Sequence, residues 1–76
     1  MMSNFDLWIK ACQEFGTCIY KLGDGFYKTW CVRCNGRDYE IIDIMYHVWD
    51  GDRRIYCGRD YITGVRVYEM RGVRMV

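Results

Sequence analysis

Three turn-forming pairs, Asp24-Gly25, Asn35-Gly36 and Asp50-Gly51, divide the middle of this chain into lengths that suit antiparallel strands. An Asn-Gly or Asp-Gly pair favours a two-residue hairpin loop because both central residues of that loop take positive φ. If Asn35-Gly36 is such a loop, Cys34 faces Arg37, Arg33 faces Asp38, Trp30 faces Ile41 and Lys28 faces Asp43. One register then yields two opposite-charge pairs and one large apolar pair, the combination cross-strand neighbours prefer. Taking Asp24-Gly25 as a second loop adds Ile19 to the Trp30–Ile41 row and Lys21 to the Lys28–Asp43 row. Strands are therefore expected at about 17–22, 26–34 and 37–48.

Residues 38–49 carry a second signal, since Ile41, Ile44, Met45 and Val48 also recur at helical spacing with Asp38 as a cap. Their β-branched content and charge pairing favour the strand. Further on, Arg53 to Cys57 and Val65 to Met70 alternate as strands do, with Gly58 to Gly64 as the loop between them. Gly72 interrupts a last short stretch that ends at Val76.

The first sixteen residues read differently. Ser3 is a good N-cap, Asp6 complements the helix dipole, and Phe5, Trp8, Ile9, Cys12 and Phe15 form one apolar stripe. Gly16 supplies the stop. The expected fold is α+β, one domain over residues 1–76, with an N-terminal amphipathic helix (about 3–16) packed on a curved antiparallel meander of four or five strands.

With 51% hydrophobic and 28% charged residues, the composition is that of a globular chain rather than a disordered one. No run reaches the roughly 18 apolar residues of a membrane span, and the start at Met1 lacks a secretory pattern. The expected compartment is the cytoplasm, where the five cysteines stay reduced. A net charge of +1 argues against a DNA mimic and against a dedicated polyanion binder.

Cys31-Val32-Arg33-Cys34 is the sharpest local pattern, because two cysteines at this spacing can reach one tetrahedral zinc. Cys12, Cys18, His47 and Cys57 are the remaining candidate ligands, and none forms a second close pair. In a regular strand, moreover, positions 31 and 34 point to opposite faces. The hairpin reading is preferred, so no metal site and no cofactor are assigned. Under the two hairpin registers Cys18 faces Cys31, read as two thiols side by side. His47 falls across from Arg54 and reads as a surface strand histidine of depressed basicity. Asp38 and Asp43 have cationic partners, while Asp24, Asp50 and Asp52 sit in or beside turns. No catalytic residue is assigned, and the chain is expected not to be an enzyme.

Charge is unevenly distributed. Residues 1–50 hold five bases against seven acids, whereas residues 51–76 hold six arginines against three acids. The second set is interleaved with aromatics, and Arg53, Arg54, Tyr56, Arg59, Tyr61, Arg66 and Tyr68 are the candidate partner-binding residues. Arginine and tyrosine are enriched at protein interfaces. They also suit single-stranded nucleic acid, so a nucleic-acid module using an Arg/Tyr-rich C-terminal sheet surface is the alternative. The C-terminal stretch from Val65 is read as an edge strand, which leaves monomer and homodimer both open.

In length, in its start without a targeting segment, in its lack of a catalytic constellation and in its helix-plus-meander, the chain resembles small anti-defence proteins of phages and mobile elements. Anti-CRISPR proteins are the best-known of these. That resemblance implies an inhibitor that binds and occludes a host protein complex, such as CRISPR-Cas, in the host cytoplasm.

Overall fold

Ser3 starts the first helix, its Oγ accepting the Asp6 amide hydrogen at 3.1 Å. In the computed structural model, which describes residues 1–71, this helix (α1) spans Asn4–Glu14 and the chain turns out of it at Phe15 and Gly16. Four strands follow in the order in which they pair: β1 (Cys18–Gly23), β2 (Phe26–Asn35), β3 (Asp38–Asp50) and β4 (Arg53–Gly58). Every neighbouring pair is antiparallel, so the sheet is the expected meander, and residues 38–49 resolve as strand.

The expected fifth strand is a helix. Residues Tyr61–Met70 form α2, and its N-cap Asp60 accepts hydrogen bonds from the Thr63 amide and hydroxyl. Val65 and Val67 alternate as strand residues do, but the Asp60–Thr63 cap outweighs that pattern. Gly64, buried in the middle of α2, lets the helix sit close to the sheet: a Cβ there would lie 3.4 Å from the rings of Phe26 and Tyr56. Packing thus rewards a residue whose intrinsic helix propensity is poor. The edge strand read from Val65 is therefore absent as far as Met70, and the stretch from Gly72 to Val76 lies outside the described residues.

Two of the three loops are displaced by one residue from the expected pairs. Gly36-Arg37 and Gly51-Asp52 are the two-residue turns, so that Asn35 pairs with Asp38 and Asp50 with Arg53. Only the glycines take positive φ (66° and 59°), which is the glycine-first hairpin turn rather than the one that strains both central residues. Consequently Arg33 faces Glu40, not Asp38, and the two form a 2.6 Å ion pair. Lys28 faces Tyr46, not Asp43. The same shift sets Ile41 opposite Val32 rather than Trp30, and Trp30 faces a bulge formed by Asp43, at φ 55°, and Ile44. Asp24-Gly25 is a loop as expected, but a bulge at Leu22 slips β1 by one residue. Cys18 therefore faces Trp30 rather than Cys31, and Ile19 and Lys21 face Thr29 and Tyr27. All five cysteines are free thiols.

Alternation along the strands assigns the two faces. Tyr27, His47 and Trp49 turn toward α1, where the rings of Phe5 and Trp8 meet them at centroid distances of 4.8–5.7 Å. Phe26 and Tyr46 turn the other way and meet Tyr61 and Tyr68 of α2 at 5.2–6.2 Å. The sheet is thus covered by one helix on each face, and Val48, fully buried, lies under α2. Cys12, Phe26 and Trp49 complete the buried apolar set. No helix among the described residues is long and apolar enough to cross a membrane.

Candidate partner-binding site

The structure divides the seven candidate residues between two faces. Tyr56, Tyr61 and Tyr68 belong to the α2 layer. Tyr68 and Tyr61 pack on Phe26, while the Tyr56 hydroxyl donates to the Asp60 carbonyl at 3.0 Å. Arg59 lies 3.8 Å from the Asp43 carboxylate, and Arg66 is exposed on α2 beside Ile55. Arg53 and Arg54 stand apart from these, at the start of β4 and next to α1. No continuous Arg/Tyr sheet surface forms, because Tyr61 and Tyr68 are on a helix, where Tyr68 packs on Phe26 and Tyr61, though in contact with Phe26 and Tyr46, stays 48% exposed.

Arg53 and Arg54 border a cleft of about 610 Å³ between the N-terminus of α1 and the β3–β4 turn. Its other walls are Asn4, Trp8, Trp49 and Asp52. The cleft exists because Asp52 ties these elements together: its carboxylate accepts the Asn4 and Phe5 amide hydrogens, each at 2.9 Å. Those bonds satisfy two of the free N–H groups at the helix start and hold the Asp52 carboxyl below the usual carboxylate range. The carboxylate is thereby occupied. Among the described residues neither Arg53 nor Arg54 forms an ion pair, whereas Arg33, Arg59 and Arg71 do.

Below the cleft the chemistry is sealed. His47 is buried under Trp8, with ring centroids 4.8 Å apart, and its Nε2 shares a 2.8 Å hydrogen bond with Thr29 Oγ1. It faces Cys57, not Arg54, and it is a core rather than a surface histidine. Burial, and secondarily the charge of Arg54, push its pKa down to about 4. The depressed basicity expected from sequence is thus present, with burial as the larger cause. Burial likewise raises the Cys12 thiol, against the opposing pull of Arg54. Cys31 and Cys34 lie on opposite faces of β2, since an odd separation reverses the side chain. Among the described residues no group of three or more His, Cys, Asp or Glu can hold a metal ion.

A second cavity, about 460 Å³, lies past Trp49 and is lined by Phe5, Tyr27, Gly25 and Arg71 among others. Arg71 closes it structurally: its Nη1 donates to the Trp49 carbonyl at 2.7 Å and its guanidinium lies over the Tyr68 ring.

The walls Trp8, Trp49, Asn4 and Asp52 were not legible as site residues. Trp8 sits on the apolar stripe of a helix, Trp49 alternates on a strand, and Asp52 reads as a turn residue. What the cleft offers chemically is two guanidiniums without carboxylate partners, among the described residues, on a rim whose walls include Trp8 and Trp49, and a guanidinium suits a planar anionic group such as a carboxylate. Comparison with protein-family models, with curated proteins and with solved structures finds no match.

Proposed function

We propose that the protein is a non-catalytic interaction protein that binds and occludes a host protein complex, presenting Arg53 and Arg54 to acidic side chains of its partner. The observation that carries this reading is the pair of arginines without carboxylate partners on the rim of a tryptophan-lined cleft. Guanidiniums held near aromatic walls are the side chains that contribute most at protein interfaces. The sealed position of His47 supports a binding role over general acid–base chemistry, because its Nε2 is already bonded to Thr29. The resemblance to small anti-defence proteins supplies the class of partner, a host defence complex such as CRISPR-Cas.

Immobilised protein incubated with host lysate tests the reading, followed by titration of the purified partner. The double variant Arg53→Glu/Arg54→Glu should weaken that titration by at least about 100-fold while keeping its circular dichroism spectrum. Undiminished binding by the double variant sinks the proposal. Salt-sensitive binding of single-stranded DNA or RNA, with no protein captured, would replace it by the nucleic-acid alternative.

A further inference from the structure

β4 is the last strand of the sheet: it pairs with β3 along one edge, and among the described residues no strand pairs with the other. Asp50–Arg53 closes the two-residue turn as a bonded pair, which makes Trp49–Arg54 the non-bonded pair that follows it. The Trp49 amide accordingly donates to the Gly25 carbonyl, on the β2 side. Arg54 therefore aims its N–H and C=O away from β3, and past the bulge so does Cys57, opposite His47. The bulge at Ile55 takes up one residue, so these outward groups keep the spacing of Trp49 and His47, two residues apart on β3. Arg54 and Cys57 are both exposed.

A groove borders this edge on each face of the sheet. On the α1 face it is the cleft of Arg53, Arg54, Trp8 and Trp49. On the α2 face it is a hollow of about 330 Å³, almost wholly apolar at its surface, lined by Ile55, Val67 and Met70 together with Arg66 and Arg71. Successive side chains of an extended strand point to opposite faces, so one strand laid along β4 reaches both grooves.

We propose that the partner presents an extended segment that adds to the free edge of β4 as a fifth strand, its acidic side chains alternating with apolar ones. This rests on the reading of Arg53 and Arg54 as the groups that meet acidic side chains, and adds the backbone that delivers them. Three observations select this occupant. The outward N–H and C=O groups of Arg54 and Cys57 are met by the main chain of an added strand. The two grooves differ in chemistry, cationic on one face and apolar on the other, which matches the two sides of such a strand. Finally, Arg53, Arg54 and Arg59 set like charges along this edge. They oppose pairing with β4 of a second copy and favour a strand of opposite charge.

Fluorescence anisotropy tests this, titrating the full chain into a labelled peptide of about eight residues that alternates glutamate and valine. Binding is expected at about 100 μM or tighter, and a peptide of the same composition with its glutamates and valines in separate blocks should bind about 10-fold more weakly or worse. N-methylating all glutamates or, separately, all valines blocks one or the other set of backbone donors, and only one set faces β4. One methylated peptide should therefore lose at least about 10-fold while the other binds as the parent does. Met70→Glu, at a position 63% exposed, should also weaken the parent peptide by about 10-fold. In the saturated complex the Arg54 and Cys57 amide hydrogens should exchange at least about 10-fold more slowly. No binding at about 1 mM, equal effects of the two methylations, or protection along β1 instead of β4 overturns the proposal. Equal methylation effects with binding lost in Arg53→Glu/Arg54→Glu would remove strand addition and keep the arginine reading. One-sided methylation with undiminished binding by that double variant would do the reverse.

Discussion

The Asp52 carboxylate accepts the Phe5 amide hydrogen at 2.9 Å, fastening the start of α1 to the β3–β4 turn 47 residues away in the chain. A second bond, from the Asn4 amide, uses the other carboxylate oxygen. Ser3 caps the same helix locally, so two caps from distant parts of the sequence meet at one helix end. Asp52→Ala should therefore lower the melting temperature and detach α1 before the sheet melts. Tryptophan fluorescence should report this earlier than far-ultraviolet circular dichroism. Coincident transitions in the variant would show that Ser3 alone holds the helix. Because the folded carboxyl is held below its usual 3.8, its contribution is present above that pH and is lost as acid is added below it.

His47 supplies a second pH dependence of opposite chemical origin. Its folded pKa is about 4 against 6.5 for a free histidine, so between those values the unfolded chain binds the extra proton. Stability is complete above pH 6.5 and falls as pH drops toward 4. At pH 5 the loss should be about 2 kcal/mol, measured as the difference in denaturant unfolding free energy from pH 7.5. His47→Gln should be less stable at pH 7.5 and should lose this slope between pH 4 and 6.5. A variant that kept the slope would assign it to other groups.

Gly64 marks the closest approach of α2 to the sheet, with Phe26 and Tyr56 at van der Waals distance from where a Cβ would be. Gly64→Ala should be close to neutral, since the gain in helix propensity of up to about 1 kcal/mol offsets the tighter contact. Gly64→Leu should cost about 3 kcal/mol through overpacking. Thermal melts of the two variants check the contrast, and equal effects would mean that α2 moves freely on the sheet.

Arg71 connects the end of α2 to the backbone of β3 through its 2.7 Å bond to the Trp49 carbonyl. Its side chain is only 23% exposed, and its guanidinium also lies 4.7 Å above the Tyr68 ring. Arg71→Ala should destabilise by about 2 kcal/mol. Arg71→Lys should recover part of that loss. By contrast Arg66→Ala, at an exposed position of the same helix, should change stability by less than about 0.5 kcal/mol. Urea titrations of the three variants measure the ordering.

Local chemistry and tertiary context contributed differently to each element. The α1 stripe of Phe5, Trp8, Ile9 and Cys12 behind the Ser3 cap was legible because cap and period agree over three turns, but Phe15, read as the last member of that stripe, is the C-cap residue and is 83% exposed. The meander was legible because glycine-containing turns interrupt alternating segments. Register was not. Moving a pairing by two residues keeps every side chain on the same face, so the pattern that predicts Arg33 opposite Asp38 serves Arg33 opposite Glu40 equally well. The bulges at Leu22, Asp43–Ile44 and Ile55 are decided by packing and carry no local signature here.

By itself, then, the sequence determined a helix followed by an antiparallel meander of four or five strands, since caps, turns and periodicity act within a few residues of one another. Only the tertiary structure decided that Tyr61–Met70 is a second helix, that His47 is buried, and that Arg53 and Arg54 meet Trp8 at a cleft. The physical reason is that each of those outcomes depends on a contact made across the chain. Gly64 is favoured in α2 only where Phe26 and Tyr56 lie against it, and His47 leaves water only where Trp8 covers it.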